Sequence, residues 1–322
     1  MWFLIFFLSA FFTLYAGNKL AKHGDIIGEK TKLGGLWVGS FILAFVTSLP
    51  ELSTAIFSQT INAPDMVFGD IFGSNMFNLT ILGIVDIMML KSSVFSKAHG
   101  DHSKTVSVIF LVTLIVILSF SLKYLQFKIF GFAVSTLLII LIYVLFQLSL
   151  YKRSNEKEYT DDLKYEKYEL KSSIIAFIVY SLIIIVSSMF LSQSSKQLSI
   201  ILGLNQTLVG SLFIGIVTSL PELTVTISAL KIDALDMAIG DLFGSNLFNV
   251  VALAISQPFF RGNIFTTIQH NKNQISALFS LLILSLILIG IGNKGEKRIF
   301  KLNSIGLLIV LTYILAILYI GI

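Results

Sequence analysis

The sequence predicts an all-α polytopic membrane protein, with ten transmembrane helices arranged as two inverted five-helix repeats. Three observations carry that expectation. Of 322 residues, 55% are hydrophobic and 13% charged, with a mean hydropathy of +0.88; soluble domains usually carry about a quarter charged residues. Apolar stretches near the roughly 20 residues needed to cross a bilayer recur along the whole chain. Finally, two blocks of sequence return at an offset of 171 residues.

The apolar stretches place spans at 2–18, 33–59, 64–90, 105–121 and 126–149, then at 172–193, 203–229, 234–260, 274–292 and 303–321. They are too long and too uniformly apolar for the alternating strands of a membrane barrel. One strongly polar segment, Tyr151 to Lys171, lies between the fifth and sixth spans and reads as a hydrophilic tether. The chain therefore divides into a first five-helix half (1–150), a cytoplasmic polar linker (151–171) and a second five-helix half (172–322).

Charge and composition exclude several classes. The net charge is +5, but the lysines fall between hydrophobic segments instead of along one face, so no nucleic-acid partner is expected; the partner is the lipid bilayer. With no cysteine there is neither a disulfide framework nor a thiolate metal site. His23, His99, His102 and His270 read as loop residues, which argues against a histidine-ligated transition metal. No basic region precedes the first apolar run, so a cleaved signal peptide is not expected.

The basic residues set orientation. With the N-terminus outside, cytoplasmic loops hold 18 of the 23 lysines and arginines. An even number of spans then puts the C-terminus outside too, in a cell (plasma) membrane.

The recurring blocks are Gly39–Glu51 with Gly210–Glu222, and Asp65–Asn78 with Asp236–Asn249; 18 of the 27 aligned positions are identical. This is an internal duplication. Because each half holds an odd number of spans, the second copy enters the membrane in the opposite direction. Inverted repeats of this kind are a mark of secondary transporters, whose sites lie near the midplane where the repeats meet.

Each copy carries "TSLPE" inside an apolar run, at Thr47–Glu51 and at Thr218–Glu222. Pro50 and Pro221 each remove a helical hydrogen bond, and in lipid the freed carbonyls must find partners. Those carbonyls belong to the Ala44–Thr47 and Gly215–Thr218 stretches. Glu51 and Glu222 sit near the centres of long spans, where a carboxylate costs about 2.5–3.5 kcal/mol on the insertion scale. No basic residue falls within a span to pair with them. A bound cation answers both needs.

The second block adds Asp70, Ser74 and Asn78 at four-residue spacing on one helical face, repeated by Asp241, Ser245 and Asn249. Gly69, Gly73, Gly240 and Gly244 recur at the same spacing and let helices approach closely. The donors are all hard oxygens. They suit Ca²⁺, and by the same logic Na⁺, but not zinc or copper.

These blocks resemble the α-repeats of the cation/Ca²⁺ exchanger superfamily, most of all the prokaryotic sodium/calcium exchangers, and the resemblance covers essentially the whole chain. It implies that Glu51 and Glu222 are central ligands shared by Ca²⁺ and Na⁺. Thr47, Ser48, Thr218 and Ser219 would add hydroxyl and backbone oxygens, Ala44 and Gly215 backbone carbonyls, and Ser74 and Ser245 hydroxyls. Asn78 and Asn249 would complete the midplane. The chain departs from the family pattern in three places. Asn249 stands where some relatives have aspartate, Asp70 and Asp241 where relatives often have asparagine, and Val46 and Val217 where a glycine is frequent. Asp70 and Asp241 are candidates for lining the ion path, for a second cation site or for proton binding.

The implied function is an antiporter exchanging Na⁺ for Ca²⁺ by alternating access, with both ions as substrates and no resident cofactor. A Ca²⁺/H⁺ or K⁺-assisted exchanger is the alternative. A cation channel fits the proline breaks in inverted repeats less well. An enzyme is not expected, because no metal-hydrolase motif, nucleophile–base arrangement or phosphate loop is present.

Overall fold

The computed structural model describes residues 1–60, 64–89, 93–98, 100–129, 132–155, 164–201, 216–260, 262, 264–267, 271–294, 298–299 and 302–321. Apolar runs fold into long helices because, in lipid, only intrahelical bonds satisfy the backbone. In chain order these are α1 (Trp2–Thr31), α2 (Gly35–Thr47), α3 (Leu49–Thr60), α4 (Pro64–Met88), α5 (Gly100–Ser121) and α6 (Val134–Asn155). The second half holds α7 (Leu170–Ile201), α8 (Leu220–Lys231), α9 (Leu235–Ser256), α10 (Asn271–Gly292) and α11 (Ser304–Gly321).

Among the described residues, seven helices are long and apolar enough to cross a membrane, and the pair α2–α3, bent by 45°, makes an eighth. The remaining expected spans are occupied by α11, a shorter apolar helix, and by α8, whose preceding residues 202–215 lie outside the described set.

The duplication visible in the sequence is also visible in the contacts. His102 of α5 lies 2.8 Å from Asp236 at the start of α9, and Asn273 of α10 donates to Asp65 at the start of α4 at 2.6 Å. Adding 171 to His102 and subtracting 171 from Asp236 turns the first pair into the second. Such reciprocal contacts are the signature of a two-fold relation between halves. Each half also has a two-residue hairpin before its last helix, Lys128–Ile129 with Phe132–Ala133 and Arg298–Ile299 with Leu302–Asn303.

Two apolar clusters hold the bundle. The larger joins α4, α5, α9, α10 and α11 around Phe68, Phe72, Phe243 and Ile309. The smaller joins α1, α2, α7 and α8 around Leu20, Leu43, Ile184 and Val225. Helix α9 is the axis of the molecule: 94% of its apolar window is buried, against 28% in α1. Its small residues allow that enclosure. A Cβ on Gly244 would collide with the Ser40 backbone, and one on Gly39 with the Met237 carbonyl, so α2 and α9 cross backbone to backbone there. The outer faces of α1 and α7 stay apolar, with Phe3, Phe7, Phe11, Ile175 and Phe190 exposed to lipid.

The structure corrects four sequence expectations. The first span runs on to Thr31, well past residue 18, and carries Asp25 and Glu29 on its last turns. The sixth runs from Leu170 to Ile201 and not 172–193. His23 belongs to α1, stacked on Tyr180, and His102 is fully buried in α5; neither is a loop residue, while His99 and His270 lie outside the described set.

The linker, finally, is more than a tether over its described end. The backbone N–H groups of Lys164 and Tyr165 donate to Glu29 at 3.0 and 2.8 Å, and the Tyr165 phenol donates to Asp25 at 2.8 Å. Burial, reinforced by the Asp25 carboxylate, pushes the Tyr165 pKa up, which keeps the phenol a donor. Lys164 also reaches Asp25 at 3.2 Å. A free polar helix end would gain little from folding alone; these partners extend it.

Candidate ion-binding site

The two proline motifs break their helices in the same way. Ser48 leaves the helix at φ −95°, ψ 9°, and Ser219 at φ −86°, ψ 9°. Pro50 and Pro221 then fall in the first turns of α3 and α8, where no N–H is needed. Glu51 and Glu222 share those first turns, beside the positive ends of two half-helices. The local sequence thus places a carboxylate where the helix dipole favours it, at the interface of the repeats.

Both glutamates are fully buried. Ser48 donates to Glu222 Oε1 at 3.1 Å, a bond from the first half to the second. Among the described residues, no hydrogen bond reaches either Oε of Glu51 or Oε2 of Glu222. Glu51 lies within electrostatic reach of Glu222 and Asp70, and Asp241 within reach of Glu222. No ion pair among the described residues includes any of these four carboxylates. Buried carboxylates gathered without a counter-charge are costly unless a cation joins them.

Hydroxyls flank the carboxylates as two matched groups. Thr47 Oγ1 lies 3.3 Å from Ser245 Oγ and 3.5 Å from Asp241 Oδ1. Its counterpart Thr218 Oγ1 lies 3.4 Å from Ser74 Oγ and also faces Asp70. The helices α4 and α9 meet through amides: Asn75 donates to the Asn246 carbonyl at 3.3 Å and accepts from Asn249 at 3.0 Å. Asn78 is buried with both amide atoms unbonded among the described residues, as is Asn249 Oδ1. The Ser219 hydroxyl is likewise buried and unbonded. The Ala44 carbonyl accepts from the Ser48 N–H at 3.0 Å and, at 3.4 Å, from the Thr47 hydroxyl. Gly215 lies outside the described residues.

Thr47, Ser48, Glu51, Ser74, Asn78, Thr218, Ser219, Glu222, Ser245, Asn249, Asp70 and Asp241 are accordingly all buried, on α2–α3, on α4, on α9, and on α8 with the two residues before it. Sequence reasoning missed Asn75 and Asn246, although both stand in the duplicated "GSN". It also missed Thr226, 3.5 Å from Asp241 Oδ2; position 55, its counterpart, is alanine, so repetition gives no signal. Among the described residues no three His, Cys, Asp or Glu side chains form a metal cluster by themselves. A cation here would complete its shell with hydroxyl, amide and carbonyl oxygens, as Ca²⁺ with six to eight oxygen ligands does.

Comparison with known proteins agrees with this arrangement. The family model for the sodium/calcium exchanger protein matches residues 1–152 and 172–320, the two segments flanking the linker. The sodium/calcium exchanger MaX1 of Methanosarcina acetivorans is 24% identical over 97% of this chain and 99% of its own. An uncharacterized membrane protein of Methanocaldococcus jannaschii is 23% identical over 88% of this chain and 87% of its own. Among solved structures, the sodium-calcium exchanger NCX_Mj, soaked with Na⁺ and Sr²⁺, superposes with a TM-score of 0.77 at 19% identity, over 99% of both chains; that likeness establishes the fold. The chain is an integral membrane protein and belongs to the sodium/calcium exchanger protein family.

Proposed function

We propose that the protein exchanges Na⁺ for Ca²⁺ across the membrane by alternating access. One observation carries the reading: Glu51 and Glu222 are fully buried at twin helix breaks, with both oxygens of Glu51 and Oε2 of Glu222 unbonded among the described residues. Two glutamates neutralise one Ca²⁺, and several Na⁺ can replace it. Bound Ca²⁺ or Na⁺ lets the bundle rearrange, whereas the empty, doubly negative site holds it, which makes an exchanger and not a leak. If three Na⁺ pass per Ca²⁺, one net charge crosses, worth about 2.3 kcal/mol per 100 mV. The ligands are those given by the resemblance: Ala44, Thr47, Ser48, Glu51, Ser74 and Asn78, with Gly215, Thr218, Ser219, Glu222, Ser245 and Asn249.

The moving elements are α1 and α7, which hold none of these residues and lie along one another, joined by Thr13 and Ser187 at 2.8 Å. The membrane is the cell membrane, with both termini outside and the Lys164–Tyr168 turn on the cytoplasmic side.

The two extra carboxylates, Asp70 and Asp241, favour a second reading in which H⁺ or K⁺ takes part. Uptake of ⁴⁵Ca²⁺ into proteoliposomes decides between them. An outward-directed Na⁺ gradient should drive uptake; uptake driven instead by a pH or K⁺ gradient, with no Na⁺ dependence, would replace the first reading by the second.

A further inference from the structure

Helix α1 packs closely along α8. A Cβ on Gly17 would sit 2.7 Å from the Thr224 methyl, so the two helices touch there without room for a side chain. Eight residues further along each helix stand Asp25 and Ile232, and one side chain reaches both. Lys164 Nζ lies 3.2 Å from the Asp25 carboxylate and donates to the Ile232 carbonyl at 2.5 Å. The turn that carries Lys164 is otherwise tied to α1. Its backbone holds Glu29, Lys22 donates to the Tyr168 phenol at 2.8 Å, and Lys30 donates to the Glu166 carbonyl at 3.2 Å. From this turn the chain passes into α7, which Thr13 and Ser187 join to α1. The turn, α1 and α7 thus form one group, and the Lys164 side chain extends from it to α8.

The geometry points to Lys164 as a latch that holds the linker end of the α1–α7 pair against α8 and must let go before that end can open. The inference rests on the alternating access proposed above, and it names a residue remote from the ion site that sets how readily one state gives way to the other. Ile232 caps the C-terminal end of α8, where the helix dipole favours a cation. The same helix carries Glu222 in its first turn. A slide of α1 by one helical turn is about 5.4 Å, a displacement that no hydrogen bond survives. An ammonium donates in three directions, so Lys164 can release the carbonyl and keep Asp25. Its side chain is 49% exposed, and so placed the contact is weak enough to break in every cycle.

Thiol labelling of the full-length protein in nanodiscs tests this without requiring transport. Ser228 is buried one turn beyond Thr224, on the face of α8 that meets α1. The chain has no cysteine, so the nearly isosteric Ser228→Cys reports how often that face is uncovered. In one Na⁺ buffer, Lys164→Met should raise its rate of reaction with a maleimide about fivefold, the scale of a partly exposed charged contact. Tyr168→Phe loosens the turn from Lys22 but spares the bridge to Ile232, and it should leave the rate within about twofold. An unchanged rate in Lys164→Met overturns the latch. An equal rise in Tyr168→Phe overturns it too, because the effect then belongs to docking of the turn. Faster labelling in Lys164→Met alone, in a protein whose ⁴⁵Ca²⁺ uptake ignores the Na⁺ gradient, supports the latch and removes only the exchange reading.

Discussion

Ser48 of the first repeat donates a hydrogen bond to Glu222 of the second at 3.1 Å, so the first half of the duplication helps build the carboxylate site of the second. The serine is also the residue at which its own helix breaks. A break in one half is thereby tied to a charge in the other. Neither half alone would form the site, and a shift of one break must be felt by the opposite glutamate.

Removing that hydroxyl tests the coupling. A hydrogen bond to a charged group contributes about 1.5–3 kcal/mol, so Ser48→Ala should weaken apparent Ca²⁺ affinity by about tenfold or more. Ser48→Thr keeps the hydroxyl and should retain most of the affinity. Equal affinities in wild type and Ser48→Ala, measured by ⁴⁵Ca²⁺ binding, would show that the bond is incidental.

Replacing Glu51 or Glu222 by glutamine preserves size but deletes one of the two charges opposite the ion. The deletion should cut Na⁺-driven ⁴⁵Ca²⁺ uptake by about a hundredfold, from the electrostatic energy of one close carboxylate in a buried site. Relieving carboxylate repulsion should leave folding intact, so the variants should elute as wild type does from size exclusion. Near-normal uptake by either would remove the paired-carboxylate mechanism.

The paired clasps at the starts of α4 and α9 are expected to be structural. His102→Ala and Asn273→Ala each remove a partner 2.6–2.8 Å from an aspartate that is itself partly exposed, a loss of about 0.5–1.5 kcal/mol. Both should lower the thermal midpoint by several degrees and leave Ca²⁺ affinity within about twofold. A large affinity loss without a stability change would place these residues in the transport path.

How much of this was legible in the sequence follows from what was duplicated. Glu51 and Glu222, the flanking Thr-Ser pairs, and the Ser74 and Ser245 positions stand out because the same residues occur twice at one offset in apolar surroundings. Gly244 is legible for a related reason: only a glycine admits the Ser40 backbone at that distance. Thr226 is not legible, because its tie to Asp241 occurs once. The end of α1 is hidden for another reason. Asp25, Glu29 and their neighbours read as a loop, and tertiary partners make them helical: Lys164 and Tyr165, more than a hundred residues away, hold the two carboxylates, and Ile26 and Ile27 are buried between them. Polar residues near a span carry no periodic apolar signal, so tertiary partners decide them.

Those same linker contacts fix where topology can be probed. Ser154 is a poor labelling site, since it is buried and its hydroxyl accepts from the Gly34 N–H at 2.6 Å. Lys167 is exposed on the turn that docks against α1. The chain has no cysteine of its own, so Lys167→Cys introduces a single thiol. With 18 of the 23 basic residues assigned to one side, the positive-inside rule predicts a cytoplasmic location for this turn. A membrane-impermeant maleimide should then leave Lys167→Cys unlabelled in intact cells and label it once the membrane is opened. Because the turn holds Asp25 and Glu29 at the end of α1, its side also fixes the direction of the first helix and, through the odd span count of each half, the directions of all the others. Labelling of the cysteine in intact cells would invert the entire arrangement and turn the Asp70 end of α4 toward the cytoplasm.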